Sequence, residues 1–223
     1  MKIGIIGAFD PEIVKFLELF ELEKDITKRE DIYIGKYKDK EIIVAKSGIG
    51  KVNSAAMTQY LIDNYLVDLI INSGCAGSLS QDVGIFDVVI SSYVTYHDFY
   101  PNRVMEYSVP DNGRVIASAR LRNMAIDASK KALVNYHVGP ICSGDCYIDS
   151  EEKRDFIRKA TNALAVDMES GSIGHIARKN NIPFISIRTI SDFSNGEENF
   201  EELAAYKSSH IVKDIIDNLW FYR

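Results

Sequence analysis

Residues 67–78 read VDLIINSGCAGS, and the change of composition within this stretch indicates the kind of fold. The first part, Val67–Asn72, is almost wholly apolar, as expected for a strand that is buried on both faces of a sheet. The second part, Asn72–Ser78, contains only small and polar residues. Such residues allow a flat ligand to approach the backbone closely, but an ordinary tight turn has the same composition. The stretch therefore predicts an interior strand that ends in a turn or at a ligand.

Short apolar strands and helices alternate along the whole chain. The predicted strands include Lys2–Gly7, Glu41–Lys46, Phe86–Tyr93, Val138–Ser143, Ala163–Val166 and Pro183–Arg188, and the predicted helices include Lys51–Tyr65, Ser118–Leu133 and a final helix from about Glu197 to Leu219. This order predicts an α/β sandwich around a largely parallel sheet. No linker, low-complexity segment or internal repeat interrupts the alternation, so residues 1–223 are expected to form one domain.

The composition excludes several classes of protein. The 223 residues are 46% hydrophobic, which is enough for a large core. The net charge is -6 and no basic block occurs, so nucleic acid is not an expected partner. No run of 18 apolar residues predicts a membrane span. The three cysteines, Cys75, Cys142 and Cys146, form no CxxC motif, and no secretory leader is evident, so we expect a cytoplasmic protein.

Two carboxylates follow the predicted strand Ala163–Val166. Asp167 and Glu169 flank Met168 just before an apolar helix begins. Buried charge is costly unless it is paired or hydrogen-bonded. One explanation is helix-start chemistry, because acids near a helix N-terminus offset the helix dipole. The other explanation is a bound ligand that carries hydroxyl groups.

Polar residues also follow two other predicted strands. Ser191 and Asp192 come after the apolar strand that ends near Arg188, where they could cap a helix or supply a partly desolvated proton donor. Tyr147 follows Ser143, where its ring could stack on a base or lie at the edge of the core. Because ligands bind beyond the carboxyl ends of parallel strands, all these residues could meet at one site.

Several familiar motifs are absent. The segment Ser47–Lys51 reads SGIGK, but its spacing fits neither a phosphate-binding Walker loop nor a dinucleotide fingerprint, so we expect a strand-to-helix turn. The four histidines form no metal-binding pattern. Cys75 has no histidine nearby in sequence to activate it, so a packing role is expected. We therefore expect neither a metal nor another cofactor.

Seven segments taken together resemble a known family. They are KIGIIGA at Lys2–Ala8, KSGIGKVNSA at Lys46–Ala55, DLIINSGCAGSL at Asp68–Leu79, YHD at Tyr96–Asp98, SGDCYI at Ser143–Ile148, AVDMES at Ala165–Ser170 and PFISIRTISD at Pro183–Asp192. Through these segments the chain resembles the purine nucleoside phosphorylase/uridine phosphorylase superfamily and, within it, the bacterial 5'-methylthioadenosine/S-adenosylhomocysteine nucleosidases.

The resemblance implies a three-layer αβα sandwich around a mixed, largely parallel sheet, usually as a homodimer. It also implies hydrolysis of the N-glycosidic bond of adenine nucleosides. By position, Asp192 would protonate the departing purine, Glu12 would activate the attacking water, and Glu169 would bind the ribose diol. The other residues expected to contact the substrate or the water are Cys75, Ala76, Gly77, Tyr147, Ile148, Asp167, Met168, Arg188 and Ser191.

Some positions depart from the family pattern. Cys75 replaces a usual serine, Asp167 replaces a usual glutamate, and Tyr147 replaces a usual phenylalanine. The segment Phe99–Ala117 resembles the family least. In the family, this region lends apolar residues to the 5'-pocket of the neighbouring subunit, and the candidates here are Met105, Tyr107 and Pro110.

Hydrolysis and phosphorolysis are distinguished by the charge expected around the nucleophile. Phosphorolysis needs a basic pocket for a dianion, whereas the first turn here, Ala8–Glu12, carries carboxylates. Water is therefore the favoured nucleophile. The alternatives are a phosphate-dependent nucleoside phosphorylase and a nucleoside-binding protein with impaired catalysis.

Overall fold

The computed structural model describes residues 1–27, 31–100, 102–196 and 200–220. In chain order the elements are β1 (Lys2–Gly7), α1 (Asp10–Phe20), β2 (Glu23–Lys24), β3 (Ile32–Tyr37), β4 (Lys40–Lys46), α2 (Lys51–Tyr65), β5 (Leu69–Ser78), β6 (Val88–Tyr96), α3 (Asn102–Ser108), β7 (Val115–Ile116), α4 (Ala119–Lys131), β8 (Tyr136–Ser143), α5 (Glu151–Thr161), β9 (Ala165–Asp167), α6 (Ser170–Lys179), β10 (Phe184–Asp192) and α7 (Glu201–Asn218). Glu197, the predicted start of the last helix, lies outside the described residues.

The strands form one mixed sheet that closes on itself. An open arm runs β2-β3-β4-β1-β5, and β5 also belongs to a ring in which β10, β6, β8 and β9 follow one another back to β5. Strand β1 is parallel to β4 and β5, and β5 is parallel to β10. Antiparallel pairs occur where β10 meets β6 and where β9 meets β5. The predicted mixed sheet is confirmed, and its ring closure is a feature that local sequence patterns do not reveal.

Helices cover both faces of the sheet, as predicted. Alternate side chains of a strand point to opposite faces, so Ile42 and Val44 of β4 pack with α1, α4 and α7, whereas Ile43 and Ala45 pack with α2 and α6. This arrangement is the expected αβα sandwich. Among the described residues, no helix has both the length and the apolar character needed to cross a bilayer.

Strands β5 and β10 are longer than the sequence predicted. The small-residue segment Asn72–Ser78 is a continuation of β5, so the tight turn, one of the two alternatives for this segment, is wrong. Likewise β10 runs to Asp192, and Ser191 caps no helix. The reason lies in their pairing, since residues 70–77 of β5 lie beside β10 along its length. Tertiary pairing therefore overrides the weak strand preference of small residues.

Candidate active site

A cavity that is open to solvent, with about 630 Å³ of empty space when its mouth is included, lies at the carboxyl ends of the strands, where β5 extends past β1. Strand β1 pairs with β5 only as far as Asn72, and β9 reaches β5 only at Gly77. The intervening backbone of β5 is left for other partners. Residues that line the cavity and were predicted from the sequence are Glu12, Cys75, Ala76, Gly77, Tyr147, Ile148, Asp167, Met168, Glu169, Ser191 and Asp192.

Glu12 fills the gap that β1 leaves beside β5. It lies in the first turn of α1, and its carboxylate accepts hydrogen bonds from the backbone N–H of Ala8 at 2.6 Å and of Cys75 at 2.9 Å. Gly74 makes this approach possible, because a Cβ atom there would lie 1.8 Å from Glu12 Oε1. Within the small-residue segment that the sequence suggested could approach a ligand, Gly74 therefore makes room for a carboxylate of the chain itself.

Arg188 lies behind the cavity wall, fully buried, and pairs with three carboxylates. Its Nη1 lies 2.9 Å from Glu12 Oε1, its Nε 2.7 Å from Asp167 Oδ2, and its Nη2 3.3 Å from Glu169 Oε2. We call these four residues the Arg188 cluster. One cation cannot neutralise three carboxylates, so the cluster carries excess negative charge where water is scarce.

Burial, with repulsion among the acids, raises the pKa values of Glu12 and Glu169. Burial raises the pKa of Glu12, and the attraction of Arg188 offsets this only in part. Burial also raises the pKa of Glu169 to about 7, again against Arg188 and with help from the repulsion of Asp167. Both groups can therefore exchange protons closer to neutral pH than exposed glutamates can.

Asp167 and Glu169 have different roles in the fold. Asp167 Oδ1 accepts from the backbone N–H groups of Glu169 at 3.3 Å and Ser170 at 3.2 Å, at the start of α6, and hydroxyls of Ser143 and Ser170 also donate to this carboxylate. Glu169 instead accepts from the backbone N–H of Gly50, just before α2, at 2.9 Å. Both residues line the cavity, but helix-start chemistry explains only Asp167, because the Glu169 side chain makes no capping hydrogen bond to α6.

Asp192 stands on the wall formed by β10 and is only 7% exposed. Its Oδ2 accepts from the hydroxyl of Ser191 at 2.8 Å, and its Oδ1 accepts from the backbone N–H of Ser194 at 2.8 Å. Tyr147 forms part of the cavity rim with 54% of its surface exposed, whereas Ile148 is buried beside it. An aromatic ring and a hydrogen-bonded carboxylate thus face the same space.

The cavity contains further residues that the sequence did not single out. They are Ala8, Phe9, Ile49, Cys146, Val166, Ser194 and Glu201. Ala8, Phe9 and Val166 adjoin predicted site residues, so proximity in sequence was a usable signal for them. The proposed 5'-pocket residues Met105, Tyr107 and Pro110 do not line this chain's cavity, and Tyr107 is 86% exposed.

Cys75 and the acidic groups offer little for metal or nucleophilic chemistry. The Cys75 Sγ lies 3.7 Å from Glu12 Oε1. Burial, and then the nearby Glu12, raise the pKa of this thiol well above its ordinary value, so it stays protonated and is a poor nucleophile. Among the residues that the structure describes, no three His, Cys, Asp or Glu side chains are grouped so that they could hold a metal ion.

Comparison with known proteins gives a consistent result. The model of the phosphorylase superfamily matches residues 2–217. A 5'-methylthioadenosine/S-adenosylhomocysteine nucleosidase of Staphylococcus aureus is 38% identical over 97% of this chain and 100% of its own length.

Solved structures of the same group of enzymes also match this chain. The S-adenosylhomocysteine nucleosidase of Streptococcus pyogenes, in complex with 5-methylthiotubericidin, matches with a TM-score of 0.92 at 28% identity over 99% of this chain and 98% of that one. The futalosine hydrolase of Helicobacter pylori matches with a TM-score of 0.90 at 32% identity over 98% of each chain. The chain therefore belongs to the phosphorylase superfamily and, within it, to the 5'-methylthioadenosine/S-adenosylhomocysteine nucleosidases.

Proposed function

We propose that this chain hydrolyses the N-glycosidic bond of 5'-methylthioadenosine, S-adenosylhomocysteine or both, and releases adenine. One observation carries the choice of water as the nucleophile. Five carboxylate residues line the cavity, and no described Lys, Arg or His side chain does. A phosphate dianion would be repelled there, whereas neutral water and the positive charge that develops on the sugar are accommodated.

Asp192 is the proposed general acid. Adenine is a poor leaving group until a ring nitrogen is protonated, and a positioned acid contributes typically about 10²–10⁴-fold to the rate. The hydroxyl of Ser191 and the backbone N–H of Ser194 fix the orientation of the Asp192 carboxyl group. It can therefore deliver its proton without first reorganising.

Glu12 is the proposed base that activates water. Two backbone N–H groups and Arg188 hold its carboxylate in place. Burial raises its pKa, so the carboxylate takes a proton from water more readily than an exposed glutamate does. The ionised carboxylate also stabilises the positive charge that develops on the sugar.

Glu169 is the proposed ligand of the ribose diol. Its carboxylate can accept charge-assisted hydrogen bonds from two adjacent hydroxyls, and Met168 beside it lines the same cavity. Tyr147 at the rim is proposed to stack on the base, with the backbone of Ile148 close to its edge. The attractive interaction of Glu169 with the sugar grows as the glycosidic bond breaks, which favours the transition state.

Adenine release measured with and without phosphate tests the reaction type. Hydrolysis predicts an unchanged rate without phosphate, and a strict phosphate requirement would instead establish a phosphorylase. A panel of 5'-methylthioadenosine, S-adenosylhomocysteine, 5'-deoxyadenosine and futalosine, read by release of the free base, ranks the substrates.

A binding protein that has lost its chemistry is the other alternative. Asp192→Asn and Glu12→Gln should each lower kcat by roughly 10²–10⁴-fold while the affinity for adenine nucleosides is largely kept. If the unaltered chain binds the nucleosides but releases no adenine, the binding-protein alternative is correct.

The working unit is proposed to be a homodimer that acts in cytoplasmic nucleoside catabolism and methionine salvage. In it, Met105, Tyr107 and Pro110 of one chain would reach the 5'-pocket of the other. Light scattering across a dilution series gives the mass of the particle, and a monomer with full activity would contradict this arrangement.

A further inference from the structure

Ser194, at the wall of the cavity, carries a buried hydroxyl that no described residue pairs with. The residue is only 1% exposed, and it lines the cavity. Its Oγ has no hydrogen-bond partner among the described residues. A buried hydroxyl that is left unpaired destabilises a fold, and such groups in native structures call for a specific explanation. One such explanation is a ligand that forms the missing hydrogen bond.

The backbone around Ser194 is also unusual. Ser194 follows the end of β10 and has a φ of 54°, in the left-handed region that residues other than glycine seldom adopt. This conformation directs its N–H to Asp192 Oδ1. Strained backbone of this kind is often found at ligand-binding sites.

Gly77 on β5 leaves the space that the Ser194 hydroxyl occupies. A Cβ atom at Gly77 would lie 2.1 Å from Ser194 Oγ and 3.0 Å from Asp192 Oδ1. The hydroxyl and the carboxylate therefore stand side by side over the same glycine. A ligand atom that reaches Asp192 has the Ser194 hydroxyl next to it.

From these observations, and given the proposed function, we infer that Ser194 determines specificity for the base by accepting a hydrogen bond from the exocyclic 6-amino group of the purine. In the proposed function, Asp192 protonates a ring nitrogen of the purine, and the 6-amino group lies on the same edge of the purine. The Ser194 oxygen can accept from that amino group. Ser194 is thus a substrate-recognising group, distinct from the acid beside it.

The test removes the hydroxyl and the 6-amino group separately and together. Ser194→Ala should lower kcat/KM for 5'-methylthioadenosine by roughly three- to tenfold, as the loss of one hydrogen bond predicts. It should leave kcat/KM for the analogue that has hydrogen in place of the 6-amino group within about twofold. Equal losses for both substrates, or no loss for either, would overturn the inference.

Two further variants keep the test interpretable. Ser194→Gly also removes the hydroxyl, and glycine adopts the positive φ without strain, so it covers the case in which the alanine variant is unstable. Thr189→Val is the matched control, because Thr189 has another buried hydroxyl without a partner, on β10 but outside the cavity. The control should change kcat/KM for neither substrate.

Calorimetric binding of free adenine and of unsubstituted purine separates this inference from the proposed function. Ser194→Ala should weaken adenine binding by roughly three- to tenfold and leave purine binding unchanged, even if the unaltered chain releases no adenine from nucleosides. Unchanged adenine binding would overturn the role of Ser194 while leaving the hydrolytic function intact.

Discussion

Two groups of charged residues in this molecule differ in their balance of charge: in one, carboxylates outnumber cations, and in the other, cations outnumber carboxylates. In the Arg188 cluster, one buried cation faces Glu12, Asp167 and Glu169. Near the surface, one carboxylate, Asp217, receives hydrogen bonds from Lys38 at 2.5 Å, Lys213 at 2.7 Å and the Tyr37 hydroxyl at 2.8 Å. We call the second group the Asp217 cluster.

The two clusters shift the pKa of a carboxylate in opposite directions. Partial burial alone would raise the pKa of Asp217, but the hydrogen bonds from Lys213, Lys38 and Tyr37 outweigh it and hold the pKa well below its ordinary range. In the Arg188 cluster, burial outweighs the single cation, and the pKa of Glu169 is raised. An ion pair therefore does not by itself show that the ionised carboxylate is stabilised. Burial and the ratio of cations to carboxylates decide whether the pKa is raised or lowered.

Removal of the central cation should have the largest effect on stability. Arg188→Met removes the cation that pairs with three buried carboxylates and leaves them only neutral hydrogen-bond donors, so we expect the free energy of unfolding to fall by about 3–5 kcal/mol. Urea denaturation measures the change, which should be larger at pH 8 than at pH 5. The matched control Lys213→Met in the Asp217 cluster should cost less than about 1 kcal/mol, and equal losses would refute the comparison.

The dependence of stability on pH should be the next largest effect. Because the pKa of Glu169 rises from 4.5 to about 7 on folding, the folded chain binds more protons than the unfolded chain between these values. Stability is therefore greatest below about pH 4.5 for this group and declines as the pH rises to 7, by on the order of 3 kcal/mol. Urea denaturation of Glu169→Gln at a series of pH values should show a free energy of unfolding that depends less on pH. An unchanged dependence on pH would contradict the raised pKa of Glu169.

Asp217 should act in the opposite sense. Its pKa is lowered from 3.8, so its contribution is present above that pH and is lost as the pH falls further.

Steric crowding in the Arg188 cluster should have an intermediate effect. A methyl group at Gly74 would meet both Glu12 and Arg188, so we expect Gly74→Ala to destabilise the fold by about 1–3 kcal/mol and to lower kcat strongly. Gly84→Ala is the control, since its nearest neighbour would be 3.7 Å away. Thermal unfolding and initial rates of both variants decide the point.

Loss of the surface carboxylate should have the smallest effect. Asp217→Asn is expected to lower the free energy of unfolding by about 0.2–1 kcal/mol, and the loss should shrink in high salt because exposed charges are screened. A loss as large as that of Arg188→Met would show that exposure does not separate the two clusters.

Much of the fold follows from local sequence, because apolar runs and alternating helices report burial directly. The length of β5 does not, since Gly74 and Gly77 favour a turn locally and belong to a strand only through pairing with β10. The closed ring of strands depends in the same way on contacts between distant segments.

The candidate site was predictable in part. Asp167 and Glu169 were conspicuous because carboxylates rarely follow a buried strand without a reason, and family resemblance indicated Glu12 and Asp192. The joint pairing of Arg188 with three acids and the unpaired hydroxyl of Ser194 could not be foreseen. Both arise from the convergence of α1, β5, β9 and β10, which no single segment encodes.

The most direct test of the central claim, that an acid-rich cavity selects water as the nucleophile, is hydrolysis of 5'-methylthioadenosine in ¹⁸O-labelled water with phosphate present. Mass spectrometry of the sugar product shows which oxygen joins the anomeric carbon. The account predicts free 5-methylthioribose that carries one ¹⁸O at that carbon. A sugar 1-phosphate as the product would contradict it.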